Sequence, residues 1–76
     1  MERTLADLRP DQEARIRGLL GSNGITQRLA ELGFTPGQKV RVVRYAPLGD
    51  PMQVRLRGFD LAVRRNEARR VLLEAE

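Results

Sequence analysis

The sequence predicts a mainly β domain, a small five-stranded barrel with one helix inserted between strands 1 and 2. Five runs of residues alternate between apolar and polar side chains, which gives each predicted strand one buried and one wet face, as in antiparallel sheets. One segment, residues 22–34, replaces this alternation with a helical spacing. A chain of 76 residues is expected to fold as a single domain over residues 1–76.

The five predicted strands differ in length but share the same alternation of side chains. Their expected inward-facing residues are Ala14 and Ile16, Val40 and Val42, Met52, Val54 and Leu56, Phe59, Leu61 and Val63, and Val71 and Leu73. Gly58 separates the third and fourth runs and indicates a tight hairpin between them. Arginines occupy many of the alternate, outward positions.

The inserted helix is predicted from three apolar residues at helical spacing, Ile25, Leu29 and Leu32. Ser22 or Asn23 is expected to cap its start. Gly33 can adopt the left-handed conformation that ends the helix, with Phe34 packing back onto it.

One short turn is predicted at the start of the chain and another near its end. The opening turn is expected to place Leu5 and Leu8 over one mouth of the barrel. Residues 65–70 are expected to form a single helical turn capped by Asn66.

The composition excludes most chemistry. The chain has no cysteine and no histidine, which removes disulfides, thiolate zinc sites and imidazole catalysis. Ser22 is its single serine, the carboxylates are scattered, and the glycines do not form a phosphate-binding motif. We therefore expect no catalytic residue, no cofactor and no metal ligand. The sequence has neither a secretory signal nor an apolar run of membrane-spanning length, so a cytoplasmic location is expected.

The segment "APLGDP", residues 46–51, is the clearest surface feature. It places Leu48 at a loop tip between Pro47 and Pro51, and prolines stiffen a loop and so reduce the entropy lost on docking. Asp50 lies in the same loop, and Tyr45 directly precedes it. We interpret the loop as apolar anchorage for another protein.

The net charge of +4 comes from an excess of arginine. Arg41, Arg55, Arg57 and Arg64 are expected on the outer faces of neighbouring strands, where they would form one basic patch. The patch is either a solvated wall or a docking surface for an acidic partner, and the sequence leaves both interpretations open.

Two other functions remain as alternatives, a nucleic-acid-binding barrel and a direct transition-metal-binding domain. Barrels that bind nucleic acids combine basic grooves with several stacking aromatics. Phe34 and Phe59 are expected in the core, so Tyr45 alone is left for stacking. The scattered carboxylates give a metal ion no obvious ligand set. A protein partner is therefore favoured.

The motifs "RLAELGFTPG", "APLGDP" and "RGFDLAVRRNEA", followed by a short apolar strand, resemble the FeoA domain of bacterial ferrous iron uptake. The resemblance runs from about residue 4 to 74 and implies an SH3-like barrel. It also implies an accessory protein that docks on the cytosolic GTP-binding part of the ferrous iron permease, at the inner face of the membrane, and modulates transport. Similar domains also occur at the C-terminus of iron-responsive repressors. This chain lacks the DNA-reading helices that such repressors need, and we expect it to be complete alone.

The sequence and the resemblance together define the expected partner surface. Its residues are Arg41, Tyr45, Pro47, Leu48, Asp50, Pro51, Arg55 and Arg57. Weak self-association through unpaired edge strands is a further expectation.

Overall fold

The computed structural model describes residues 2–75 of the chain. The elements in order are a 3₁₀ turn (Leu5–Asp7), β1 (Glu13–Leu19), α1 (Gly24–Leu32), β2 (Lys39–Tyr45), β3 (Met52–Leu56), β4 (Phe59–Val63), α2 (Arg65–Ala68) and β5 (Val71–Leu73). The strands form one antiparallel sheet in the order β4-β3-β2-β1-β5. The predicted five strands, with a helix between the first two, are confirmed.

The sheet curls at β1, which belongs to both halves of the barrel. Residues 13–15 pair with β2, and residues 16–19 pair with β5. An irregularity between Ile16 and Gly18 separates the two halves, and such bulges bend a strand. The bend lets five short strands wrap around a single core.

The core contains most of the residues that the alternation placed inside. Its buried side chains are Leu5, Leu8, Ile16, Leu29, Phe34, Val40, Val42, Met52, Val54, Leu56, Val63, Ala68, Val71 and Leu73. Leu5 and Leu8 belong to the opening turn, as predicted, and Phe34 is fully buried.

Phe59 is the clearest error in the predicted core. It has the right phase for an inward position, but its residue surface is 71% exposed. The reason is its place along the strand: it follows the Arg57–Gly58 turn directly and pairs with Leu56, at the end of the barrel where no further layer covers it. Leu61, two residues later on the same edge strand, is half-buried, and Val63 is buried.

Helix α1 begins and ends where the sequence predicted. The Asn23 side-chain oxygen accepts hydrogen bonds from the backbone N–H groups of Ile25 and Thr26. Gly33 is left-handed at φ 114°, and the Phe34 N–H donates to the Leu29 carbonyl oxygen at 3.0 Å. This closure turns the Phe34 side chain into the core.

The predicted apolar stripe of α1 is wrong at its last residue, because Leu32 is 46% exposed. The buried face instead consists of Thr26 and Leu29. The left-handed Gly33 turns the chain inward immediately after Leu32, so Phe34 takes the inner position that a longer helix would have given to Leu32.

Helix α2 begins at Arg65 with Arg64 in the N-cap position, two residues before Asn66, so the predicted Asn66 cap is wrong. Its first amides are satisfied by carboxylates: the Arg64 N–H donates to Glu67 Oε1 at 3.0 Å, and the Arg65 N–H donates to Asp50 Oδ1 at 3.0 Å. The buried Glu67 also forms an ion pair with Arg28 of α1, which ties the two helices together.

The two edge strands of the sheet differ in what lies beside them. The start of the chain runs along β5, where Thr4 forms a β-bridge with Leu72 and the Leu73 N–H donates to the Arg3 carbonyl oxygen at 2.9 Å. Within residues 2–75, β4 pairs with β3 alone. Neither α1 nor α2 has the length and apolar character that crossing a membrane requires.

Candidate docking site at the 46–51 loop

The loop between β2 and β3, residues 46–51, is closed by its own backbone. The Ala46 N–H donates to the Pro51 carbonyl oxygen at 2.9 Å, and the Gly49 N–H donates to the Ala46 carbonyl oxygen at 2.7 Å. Leu48 lies at the tip and is 96% exposed, and Pro47 beside it is also exposed. The structure therefore holds an apolar side chain out in solvent on a hydrogen-bonded loop.

Arg65 fixes this loop to the rest of the barrel. Its Nε donates to the Gly49 carbonyl oxygen at 2.8 Å, and one terminal nitrogen donates to the Ala6 carbonyl oxygen at 3.4 Å. The guanidinium carbon lies 4.7 Å from the centre of the Tyr45 ring, in cation–π contact. Asp50 adds a second link through its hydrogen bond from the Arg65 backbone.

Asp50 is a residue of the expected partner surface. In the structure its side chain is engaged within the fold, where it caps α2. Its other carboxylate oxygen, Oδ2, lies 3.9 Å from the Arg64 side chain. Sequence reasoning missed Arg65, because it lies 16 residues from Gly49 and no local pattern connects the two.

Tyr45, which the expected partner surface places on the outside of the barrel, is half-buried, so this expectation is wrong. Its hydroxyl donates to the Leu8 carbonyl oxygen, and Arg65 lies over its ring. A register shift between Val42 and Arg44 explains this position. The extra residue moves Arg44 to the outer face and turns Tyr45 inward opposite Met52.

A groove of about 610 Å³ lies beside the loop and is hereafter called the loop groove. It combines an apolar end with a polar end, and its lining residues are Arg44, Tyr45, Ala46, Pro47, Pro51, Met52, Gln53, Asp60, Leu61 and Ala62. The polar end is hydrogen-bonded, since Arg44 donates to Gln53 at 2.7 Å and Gln53 donates to Asp60 at 3.0 Å. Of these residues, the expected partner surface contained Tyr45, Pro47 and Pro51.

The outer arginines do not form one continuous basic patch. Arg41 and Arg55 lie opposite each other on β2 and β3, but each is paired with a carboxylate: Arg41 with Asp11 at 2.9 Å and Arg55 with Asp60 at 2.8 Å.

Arg57 lies apart from these two. It occupies the hairpin turn at φ 56°, and its side chain passes so close to Gly33 that a Cβ added to that glycine would lie 3.0 Å from the Arg57 Cδ. The alternating pattern assigned Arg57 to a strand, because the pattern does not show that the turn begins one residue before Gly58. The Arg64 side chain instead faces the loop, near Asp50.

Arg55 holds the pKa of Asp60 below its usual value, chiefly through its hydrogen bonds to the carboxylate. Because the pKa is lowered on folding, the pair stabilises the fold above the normal pKa range of aspartate and loses this contribution as the pH falls through the lowered pKa. We expect Arg55→Ala to raise the Asp60 pKa, measured by NMR titration of the carboxyl carbon. Arg57→Ala is the control and should leave that pKa unchanged; equal shifts in both variants would contradict this assignment.

Replacing Arg65 with lysine should loosen the loop. Lysine keeps the charge but cannot reproduce two directed hydrogen bonds and the stacked contact. We expect the free energy of unfolding to fall by about 1–3 kcal/mol and backbone order to decrease at Leu48 and Gly49, measured by denaturation and ¹⁵N relaxation. Arg64→Lys, in the neighbouring exposed position, should change neither quantity; an unchanged Arg65→Lys loop would disprove the role of Arg65.

The alternative functions gain little from this geometry. Among residues 2–75, no three acidic side chains come close enough to hold a metal ion together. The well-exposed aromatic residue, Phe59, follows the β3–β4 turn and is not among the residues that line the loop groove. A single exposed ring is not the series of stacking surfaces used by barrels that bind single strands.

Comparison with known proteins gives a consistent result. The FeoA domain family matches residues 3–75. A Porphyromonas gingivalis protein described as a fusion of Fe(2+) transport protein A and Fe(2+) transporter FeoB is 31% identical over 70 residues. The match covers 92% of this chain but 8% of that protein.

Two solved structures are similar over nearly the whole chain. FeoA from Stenotrophomonas maltophilia, determined with zinc and described as an SH3 domain protein and candidate ferrous iron transport activating factor, is 33% identical with a TM-score of 0.86; 95% of this chain and 89% of that chain are covered. A FeoA-like protein from Clostridium acetobutylicum is 26% identical with a TM-score of 0.89, over 96% and 85% of the two chains. The SH3-like architecture is thereby confirmed.

Proposed function

The chain belongs to the FeoA domain family, which is linked to ferrous iron transport, and we propose that it docks on the cytosolic GTP-binding part of the ferrous iron permease. The observation that carries the proposal is the fusion of the two proteins in Porphyromonas gingivalis. Covalent linkage keeps two modules at high effective concentration, which is advantageous when they act as a complex. On this proposal the chain works in the cytoplasm, at the inner face of the membrane, as a non-enzymatic accessory protein.

The 46–51 loop supplies the apolar anchor of the proposed interface. Leu48 is almost fully exposed, and the hydrogen bonds at Ala46, Gly49 and Arg65 hold the loop in place. Because the loop is already ordered, docking loses little backbone entropy. A single exposed leucine has no meaning alone, but an exposed leucine on a closed loop beside a groove is what an anchoring contact requires.

The loop groove supplies the rim of the interface. Its polar end carries Arg44, Gln53 and Asp60, which already satisfy one another, so they can accept a partner without leaving a charge buried and unpaired. The excess positive charge of the chain favours approach to an acidic surface and acts mainly on the association rate. Arg55 neighbours the groove through its ion pair with Asp60, and Arg41 lies opposite Arg55 on β2, whereas Arg57 lies in the turn after β3.

Calorimetric titration of this chain into the permease's isolated GTP-binding domain tests the proposal. We expect saturable one-to-one binding that weakens as salt is raised, together with a measurable change in GTP turnover or in nucleotide affinity. Binding without any change in turnover or nucleotide affinity would indicate a purely assembling role. The absence of binding, both to the GTP-binding domain and to the intact permease in detergent, would contradict the proposed partner.

A further inference from the structure

One edge of the sheet is open. The outer side of β5 is occupied by the chain start through the Thr4–Leu72 bridge and the hydrogen bond from Leu73 to Arg3. Strand β4 ends the sheet at the other side, and within residues 2–75 no element pairs with its outer edge. Unpaired edges are templates for further strand pairing.

The hairpin identifies which backbone groups face outward. Arg57 and Gly58 have φ values of 56° and 85°, the pattern of a two-residue type I′ turn, so Leu56 and Phe59 exchange hydrogen bonds across it. In an antiparallel pair, hydrogen-bonded and non-hydrogen-bonded positions alternate. The N–H and C=O groups of Asp60 and Ala62 therefore point away from β3, toward the open edge.

Several of the devices that protect an edge are missing from β4. The strand contains neither proline nor lysine, and its register with β3 is regular over five residues. Its one charged side chain, Asp60, is matched by Arg55. The apolar Phe59 is exposed and Leu61 is half-buried on the same strand.

We propose that β4 pairs antiparallel with β4 of a second copy of this chain, with Leu61 on the two-fold axis. In this register Asp60 lies opposite Ala62 of the second copy. The outward N–H and C=O groups of these two residues then form hydrogen bonds with one another. Phe59 lies opposite Val63 of the second copy, and the two Leu61 side chains meet at the axis.

The neighbouring registers are disfavoured by charge and by prior hydrogen bonds. A shift that centres Asp60 would put two carboxylates opposite each other. A shift that centres Ala62 would require the backbone of Arg64, whose N–H already donates to Glu67 and whose carbonyl oxygen already accepts from Glu67 and Ala68. The sequence of β4 thus complements itself in one register.

We expect the association to be weak. Interfaces that bury less than roughly 1,200 Å² are usually transient, and a five-residue strand pair buries less than this area. Sedimentation over chain concentrations from about 10 µM to about 1 mM measures it, and hydrogen exchange of the Asp60 and Ala62 amides reports the surface. We expect a monomer–dimer equilibrium, with both amides increasingly protected as the chain is concentrated.

Ala62→Pro tests the surface directly. Proline removes the outward N–H of residue 62 without removing a hydrogen bond to β3, and it is tolerated at edges. We expect the dimer dissociation constant to rise at least tenfold, whereas the matched control Ala62→Ser should leave it within about twofold. Phe59→Ala, at an exposed position, should weaken the dimer about three- to tenfold and covers the case in which Ala62→Pro does not fold.

Three results would overturn the proposal. The first is a monomer throughout the concentration series. The second is a dimer that Ala62→Pro, or Phe59→Ala if the proline variant does not fold, leaves unchanged. The third is protection of the β4 amides that appears only when an unrelated extended peptide or the permease domain is added. The first two results do not bear on whether the 46–51 loop docks on the permease.

Discussion

Replacing Leu48 with aspartate is expected to weaken binding to the permease's GTP-binding domain by about 10- to 100-fold. Burying a leucine side chain at an interface contributes about 1.5–3 kcal/mol, and each 1.4 kcal/mol corresponds to a factor of ten in the dissociation constant. Since Leu48 is 96% exposed and makes little contact with the barrel, the free energy of unfolding should not change. Calorimetry and chemical denaturation measure the two quantities.

Leu20→Asp is the matched control for Leu48→Asp. Leu20 is 54% exposed, directly follows β1 and does not line the loop groove, and its backbone N–H donates to the Arg70 carbonyl oxygen at 2.7 Å. The Leu20→Asp variant should bind the permease domain as tightly as the natural chain does. Equal losses of affinity in the two variants would show that any added charge weakens binding, and the anchoring role of Leu48 would be lost.

Replacing Phe34 with alanine is expected to lower the free energy of unfolding by about 3–5 kcal/mol, most of the stability of a domain this small. Phe34 is fully buried and occupies the core directly after the left-handed Gly33, where the chain leaves α1. The hydrogen bond from the Phe34 N–H to the Leu29 carbonyl oxygen holds the backbone in place, so neighbouring side chains can fill the vacated space only in part. Urea denaturation followed by circular dichroism measures the loss.

Phe59→Ala provides the comparison with Phe34→Ala. It is measured at a chain concentration low enough that the proposed dimer does not form. The same residue type is removed from a position that is 71% exposed, so the free energy of unfolding should change by less than about 1 kcal/mol. Similar losses for Phe34→Ala and Phe59→Ala would mean that the packing described for the two rings is wrong.

Alternation predicted the strands because burial on one face imposes a period of two on the sequence. It failed where the period is interrupted. The register shift between Val42 and Arg44 moved Tyr45 from the surface to the inner face, and nothing in "VRVVRY" marks which residue is the extra one. Phe59 failed for another reason: its phase is correct, but phase does not show where along a strand the barrel ends.

The candidate site was predictable only in its local part. Prolines on both sides of Leu48 indicated a stiff loop with an apolar tip, and the structure places that side chain in solvent. The loop groove and Arg65 depend on contacts between distant segments, such as Arg65 with Gly49 and Ala6. Long-range contacts of this kind follow from the fold as a whole and leave no spacing to recognise.

Chemical-shift mapping of the isotopically labelled chain with the permease's GTP-binding domain tests the docking surface most directly. We predict that the largest changes in amide signals fall within residues 44–51 and 60–62, with smaller changes along β1 and β5. Changes concentrated on β1, β5 or the exposed face of α1, with the signals of residues 46–51 unmoved at saturation, would contradict docking through the loop.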